Sequence, residues 1–162
     1  MTDHLTPSHR SWNMAQIHSS DTKPEKIVRS MLFAAGFRFR INRKDLPGKP
    51  DIVLPKFKTV IFIHGCFWHR HKGCGDASMP KSNTDFWRNK FEANVKRDER
   101  VGGELKVLGW KVVTIWECQV KKEDVLKKII DKEFGSMLLN DETVAAEKSH
   151  VYKGIKNKAV KK

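Results

Sequence analysis

The chain contains no apolar run of about 18 residues, and residues 1–20 lack the apolar segment of a secretory signal. These absences argue against a membrane-spanning or secreted protein. Cysteine is also scarce, and three residues, an odd number, do not suit a disulfide framework. In a reducing compartment, close-set Cys and His residues indicate metal binding before disulfides. We therefore expect a cytoplasmic protein.

Acidic residues are outnumbered, with 19 Asp plus Glu against 32 Lys plus Arg and a formal net charge of +13. A solubilising surface would account for part of this excess. The usual partner of such a charge is a polyanion, above all nucleic acid. The 162 residues suffice for one domain with a single substantial core.

The chain divides into three parts by composition. Residues 1–20 are polar and without clear periodicity, which indicates an arm or a marginal helix rather than core. Residues 21–140 contain the periodic segments and form the predicted folded domain. Residues 141–162 are predicted to be a mobile basic tail that adds non-specific phosphate affinity, because 148–162 contain six lysines and no acid.

Within the domain, hydrophobic periodicity predicts an alternation of helices and strands. A capping residue, a proline in the first turn and an acid mark a helix start at residues 21–25, and Gly36 marks its end. Alternation of apolar and basic residues predicts a half-buried strand at 37–41. The remaining predicted elements are strands at 51–54, 59–63 and 110–116 and helices from 84 to 108 and from 123 to 134.

The segment after the strand at 59–63 is unusually rich in ligand side chains. Cys66, His71 and Cys74 lie close together, and the only other cysteine, Cys118, ends the predicted strand at 110–116. Zinc prefers thiolate and imidazole, and a structural site uses four protein ligands. We predict a tetrahedral Cys3His zinc site, against the alternative of three unrelated thiols.

Asp51 opens a strand and is the candidate ligand for a catalytic Mg2+, which takes oxygen ligands and keeps several waters. Glu25 lies on the edge of the first helix's apolar stripe. It either complements the helix N-terminus or serves a metal site, and position alone leaves the two equal. A histidine held by a carboxylate is a standard general base, which makes His69 with Asp98 a suggestive pair.

Two tripeptides, 66–68 and 85–87, place large aromatic rings beside basic segments. Core packing is the ordinary role of a tryptophan. The alternative is an apolar wedge that unstacks base pairs and bends a duplex.

At these residues the sequence resembles the very-short-patch repair (Vsr) DNA mismatch endonucleases. The resemblance extends over about residues 8 to 120, and its motifs in this order are highly specific. They are Arg10–Met14, Glu25, Leu46–Asp51, His64–His71, Thr84–Trp87, Asn94–Asp98 and Trp116–Cys118.

The resemblance implies a restriction-endonuclease-like α/β core, a mixed central β-sheet flanked by helices. The family nicks one strand of duplex DNA 5′ to the thymine of a T:G mismatch left by deamination of 5-methylcytosine, using Mg2+. It implies that Asp51 and the main-chain carbonyl of Ile63 bind Mg2+. His64 would contact the phosphate, and Glu25 would be an outer-shell acid.

By the same resemblance His69, oriented by Asp98, activates the attacking water. The implied zinc ligands are Cys66, His71, Cys74 and Cys118. The implied DNA-intercalating residues are Phe67, Trp68, Trp87 and, in the arm, Met14.

Most restriction-type nucleases carry an acid and a lysine on the second strand, where this chain has Phe62, Ile63 and His64. The family shares this departure, which argues against an ordinary restriction enzyme. Two alternatives stay open: a restriction-type endonuclease with the same core, and a zinc-dependent DNA-binding module without hydrolytic activity. The module would not need the pair His69 and Asp98. We expect a monomer that acts on the DNA of a bacterial nucleoid, with no membrane partner.

Overall fold

The computed structural model describes residues 20–137 together with Thr6, Ser8, His9 and Trp12. The predicted intercalating residue Met14, and nearly all of the predicted arm and basic tail, lie outside the described residues. The described helices are α1 (Lys23–Ala34), α2 (Thr84–Val107), α3 (Glu117–Val120) and α4 (residues 123–137), and the strands are β1 (Ile52–Leu54), β2 (Thr59–His64) and β3 (Lys111–Trp116).

Helix α1 begins where the sequence predicted. The Thr22 side chain accepts a hydrogen bond from the Glu25 backbone N–H, and the Glu25 carboxylate accepts one from the Thr22 backbone N–H. This reciprocal capping box satisfies two of the donors that a helix N-terminus leaves free. The helix ends before Gly36, whose φ of +92° suits glycine.

The three strands form one mixed sheet in the order β1-β2-β3. Strand β1 is antiparallel to β2, with Ile52 opposite Ile61, and β2 is parallel to β3, with Ile61 opposite Val113. Helix α2 makes the crossover between the parallel strands. The predicted α/β class with a mixed sheet flanked by helices is confirmed.

The predicted strand at 37–41 is wrong. Its backbone makes a single bridge, in which Arg40 and Val53 exchange two hydrogen bonds of 2.8 Å. The Phe37 N–H is bound to the Leu32 carbonyl at the end of α1, and Asn42 has a φ of +54°. The extended segment between Phe37 and Asn42 is therefore long enough for only one bridging residue pair, Arg40 with Val53.

Buried side chains lie on both faces of the sheet. On one face Ile61 packs with α1 and α4, and on the other Val60 packs with α2. Gly48, in the turn before β1, has a φ of +70°, and an added Cβ would lie 2.4 Å from Val101 of α2. This close approach requires glycine and sets the turn that leads into Asp51. Within the described residues, no helix is long and apolar enough to cross a membrane.

Candidate active site and metal centre

Asp51 lies at the start of β1, beside the end of β2. Its Oδ2 accepts a hydrogen bond of 2.7 Å from the backbone N–H of Ile63. Burial raises the pKa of the Asp51 carboxyl to about 6, with a further increase from the nearby Glu25 and opposing effects from the Ile63 N–H and Arg29. A carboxylate that is costly to ionise when alone is a favourable ligand for a cation, which removes that cost.

Glu25 caps the first helix, which is one of the two roles that the sequence left open, and it lies beside Asp51. It is 5% exposed and caps α1, accepting bonds from the Thr22 hydroxyl at 2.7 Å and from the Asp21 N–H at 3.0 Å. It also lines the same cleft as Asp51 and is close enough to raise the pKa of that carboxyl. Helix capping therefore fixes an acid beside Asp51.

His69 and Asp98 form the pair that the sequence suggested. The Nδ1 of His69, in the loop after β2, lies 2.5 Å from Oδ2 of Asp98 on α2. The other carboxylate oxygen is 3.4 Å from Arg97. With Nδ1 held, the imidazole has only Nε2 left to exchange a proton with a water.

His64, the last residue of β2, stacks on the His69 ring with a centroid distance of 3.8 Å and an interplanar angle of 12°. The pKa of His64 is lowered to about 4. Burial is the main cause, and repulsion from His69 contributes to the same decrease. The ring is therefore neutral at pH 7. A neutral imidazole can donate one hydrogen bond to an anion without adding a charge that would compete with His69.

These side chains converge on one cleft of about 1000 Å³ between the turn before β1, the end of β2 and α2. Its lining includes Glu25, Asp51, Ile63, His64, Trp68, His69, Asn94, Asp98 and Glu117. An acid pair and a carboxylate-held histidine thus face the same space.

Cys66, His71, Cys74 and Cys118 also come together, with their ligand atoms all within 4.8 Å of one another. The Nδ1 of His71 is 3.6 Å from the Cys66 sulfur and 3.3 Å from the Cys118 sulfur. Tetrahedral zinc with ordinary bond lengths would separate such ligands by about 3.5 Å. The four residues fit a tetrahedral metal ion.

The chemistry of this cluster also fits a cation. The three cysteines are free thiols, and burial raises the pKa of Cys66 to about 12. A metal ion would hold the thiolates in their charged form, which burial alone disfavours. The His71 ring stacks on Trp116 at 4.2 Å, so its orientation is set before any metal binds.

The aromatic rings named in the sequence form one half-buried cluster. Phe67 lies edge-on to Trp68 at 5.1 Å and to Trp87 at 5.4 Å, and the buried Phe91 packs behind them. Phe86, by contrast, is 61% exposed. One side of the cluster therefore packs against the buried Phe91, and the other side is accessible to solvent.

Two residues in this region were missed by sequence reasoning. Asn94 is buried and donates a hydrogen bond of 3.0 Å to the Trp68 carbonyl, which ties the aromatic loop to α2. The sequence feature that could have indicated Asn94 is its position four residues before Asp98, which places both on the same face of α2. Arg29 lies one turn after Glu25 and binds it; the signal there was the i, i+4 pairing of opposite charges.

A chain with a net charge of +13 and with acidic and imidazole side chains gathered in one cleft is suited to acting on a polyanion. The family model for the DNA mismatch endonuclease Vsr matches residues 2–75, and the Vsr enzyme of Escherichia coli K12 is similar over most of this chain. The protein is a DNA endonuclease. It belongs to the Vsr family.

Relatives are similar over most of their length. The Type II nicking enzyme V.NmeAIP of Neisseria meningitidis is 50% identical over 132 residues, covering 82% of this chain and 94% of the relative. V.XorIIP of Xanthomonas oryzae pv. oryzae, also a Type II nicking enzyme, is 48% identical over 81% of this chain and 98% of its own. The DNA mismatch endonuclease Vsr of Escherichia coli K12 is 41% identical over 78% of this chain and 80% of its own.

Proposed function

We propose that the protein nicks one strand of duplex DNA 5′ to the thymine of a T:G mismatch produced by deamination of 5-methylcytosine, and so initiates very-short-patch repair. The substrate assignment is supported by the names of the relatives, which include both a mismatch endonuclease and nicking enzymes. The observation that carries the hydrolytic assignment is the shared cleft of Asp51 and the His69–Asp98 pair.

Asp51, with the Ile63 main-chain carbonyl, would hold Mg2+, and Glu25 would order its water ligands from the outer shell. When bound, Mg2+ supplies positive charge against the developing charge of the phosphate and lowers the pKa of bound water. The oxygen-only donor set of Asp51, Glu25 and a carbonyl suits this hard ion. Burial of Asp51 favours occupation further.

His69 takes the proton of the attacking water at Nε2, and Asp98 stabilises the imidazolium that results. His64, held neutral by burial, donates a hydrogen bond to the phosphate. The water oxygen bonds to phosphorus as the bond between phosphorus and the 3′ oxygen breaks, and the 3′ oxygen takes a proton from solvent water.

Cys66, His71, Cys74 and Cys118 would hold a structural Zn2+, which pins the loop after β2 to α3. That loop also carries Phe67 and Trp68, and with Trp87 these rings would enter the duplex at the mismatch. Met14 would enter from the opposite side. Residues 1–20 would be a DNA-gripping arm, 21–140 a restriction-endonuclease-like domain, and 141–162 a basic tail, in a monomer acting in the bacterial cytoplasm on the nucleoid.

Incubation with Mg2+ and end-labelled duplexes tests this function. The panel holds T:G, T:A and C:G pairs in the same flanking sequence, with each strand labelled in turn. We expect one nick, in the strand bearing the mismatched thymine, and only in the T:G duplex. Cleavage of both strands of matched DNA would favour a restriction-type enzyme, and binding without cleavage a DNA-binding module.

A further inference from the structure

Arg29 lies behind the active-site acids and takes no part in the chemistry described so far. It projects from α1 with only 15% of its side chain exposed. One guanidinium nitrogen is 2.6 Å from the Glu25 carboxylate, and another is 2.6 Å from Asp21. Because the Glu25 side chain is itself only 7% exposed, this contact is a largely buried ion pair.

The burial of this guanidinium is costly. Among the described residues, the Nε of Arg29 has no hydrogen-bond partner although it is buried. A buried charged donor left unpaired usually lowers stability. The contacts that hold Arg29 in place are its two ion pairs, and both depend on its charge.

That charge acts on both acids of the cleft. Arg29 pairs directly with Glu25. It also lowers the pKa of Asp51, whereas Glu25 raises it. The two carboxylates together carry a charge of −2 when ionised. Arg29, whose second partner Asp21 is exposed and screened by solvent, offsets part of that charge. A divalent cation entering the cleft therefore meets less negative charge than the two carboxylates alone would present.

We propose that Arg29 is a positioning residue that fixes the Glu25 carboxylate and limits the affinity of the Glu25–Asp51 pair for a divalent cation. This inference rests on the proposed function, in which Asp51 binds Mg2+. With the arginine in place, the acids stay ordered without metal. The affinity for Mg2+ is weaker than two uncompensated carboxylates would give, and substrate phosphate would strengthen binding by adding a ligand.

The test measures Mg2+ binding rather than catalysis. Isothermal titration of the zinc-loaded protein with MgCl2 at pH 8, without DNA, gives the Kd, and the rise in melting temperature with Mg2+ gives a second readout. Arg29→Gln keeps a donor for Glu25 and removes the charge. We expect its Kd for Mg2+ to fall on the order of tenfold, with a larger Mg2+-induced rise in melting temperature.

Two controls keep the charge of residue 29. Arg29→Lys retains a cation at this position, and Asp21→Asn removes only the exposed partner of Arg29, whose charge is screened by solvent. Both should bind Mg2+ within about twofold of the wild type, because the cation beside Glu25 and Asp51 is still present. A merely structural role would instead make Arg29→Lys and Arg29→Gln alike in their response to Mg2+.

A complementary variant covers the case in which Arg29→Gln folds poorly. Glu25→Gln leaves Arg29 with only the exposed Asp21 as its partner. The Mg2+ affinity of this variant should fall below that of the wild type. Adding Arg29→Gln to it should restore part of that affinity, because the repelling charge is gone.

Equal or weaker Mg2+ binding by Arg29→Gln, or a double variant no better than Glu25→Gln, overturns the inference while leaving the proposed function intact. A wild type that binds no Mg2+, with or without substrate DNA, overturns the metal assignment and this inference with it.

Discussion

The Nδ1 of His69 lies 2.5 Å from Oδ2 of Asp98, although the two residues are 29 positions apart in the chain. The loop after β2 supplies the histidine and the middle of α2 supplies the carboxylate. Both parts are held by the core that α2 forms with Val60, and Asn94 adds a bond between α2 and the loop. The geometry of the proposed base thus depends on the packing of a helix on a sheet.

Replacing Asp98 tests this dependence. Asp98→Asn keeps the size of the side chain but removes the charge that stabilises an imidazolium. We expect single-turnover nicking of a T:G duplex with Mg2+ to slow by about 100-fold or more. Binding of the duplex in Ca2+ should change little, because the Asp98 carboxylate pairs with His69 and Arg97 and offers no donor to a phosphate.

Glu92→Gln is the matched control, since Glu92 is an exposed acid on the same helix. It removes the same charge from α2 and should leave the rate within about twofold. If Asp98→Asn nicks as fast as this control, His69 does not need its carboxylate and is not the oriented base that we propose.

The burial of Asp51 gives a prediction about pH and stability. Its pKa is raised from 3.8 in the unfolded chain to about 6 in the folded one, so ionisation favours unfolding. This destabilisation is absent below about pH 4, appears as the pH rises through the folded pKa, and is complete at pH 7 and above. Asp51→Asn removes it.

In buffer with zinc but without Mg2+, we expect Asp51→Asn to be more stable than the wild type by about 1 to 3 kcal/mol at pH 7.5 and by clearly less at pH 5. Urea denaturation at both pH values measures the difference. The same variant should lose Mg2+-dependent nicking. A pH-independent difference in stability, or robust nicking by the variant, would contradict the role assigned to this carboxylate.

Much of this arrangement was predictable from local sequence signals, and the exceptions have a common cause. The β-branched run at 59–63 and the Thr22–Glu25 capping pattern fix their own local structure, and both predictions are confirmed. The segment at 37–41 has a strand-like alternation, but its pairing depends on where α1 ends and where Asn42 turns the backbone. Local periodicity does not contain that information.

The same distinction applies to the site. Cys66, His71 and Cys74 are close in sequence, so their association was readable from spacing, and Cys118 could be added because no other cysteine remained. The pairing of Arg29 with Glu25 follows the i, i+4 spacing within α1, but the effect of Arg29 on Asp51 was not readable, because it requires α1 to pack beside the start of β1. Roles that the resemblance implied, such as phosphate contact by His64, stay predictions.

The Cys/His cluster predicts that metal and stability are lost together. Cys118→Ser removes the one ligand that belongs to α3 and would detach the loop after β2 from that helix. Because the free energy of binding a structural metal is free energy of folding, we expect a loss on the order of 3 kcal/mol or more. Elemental analysis should find about one zinc per wild-type chain and much less in the variant.

Lys121→Gln is the control for this region. Lys121 bridges Asp76 and Glu117 on the surface beside the cluster, but it offers no metal ligand. The variant should keep its zinc, and its melting temperature should change little, because exposed ion pairs contribute little to stability. Absence of zinc from the purified wild type would remove the basis of this prediction.

The aromatic cluster predicts how a mismatch is selected. A T:G wobble pair stacks less well than a matched pair, so opening it costs less, and unstacking one step costs on the order of a few kcal/mol. Trp68 packs edge-on against Phe67, yet it is only partly buried and lines the cleft. We expect Trp68→Ala to keep the fold with a modest fall in melting temperature and to lose most of its preference for T:G over T:A.

The measurement compares Kd values for T:G and T:A duplexes of one sequence at several salt concentrations. Non-specific, salt-sensitive affinity should survive in Trp68→Ala, because the phosphate contacts come from the basic surface. Phe33→Ala serves as the control, since Phe33 is a 57% exposed ring on α1 outside the aromatic cluster and should leave the preference unchanged. A Trp68→Ala protein that melts far below the wild type would mean that the ring is core. One that still discriminates T:G as the wild type does would mean that another part of the chain reads the mismatch.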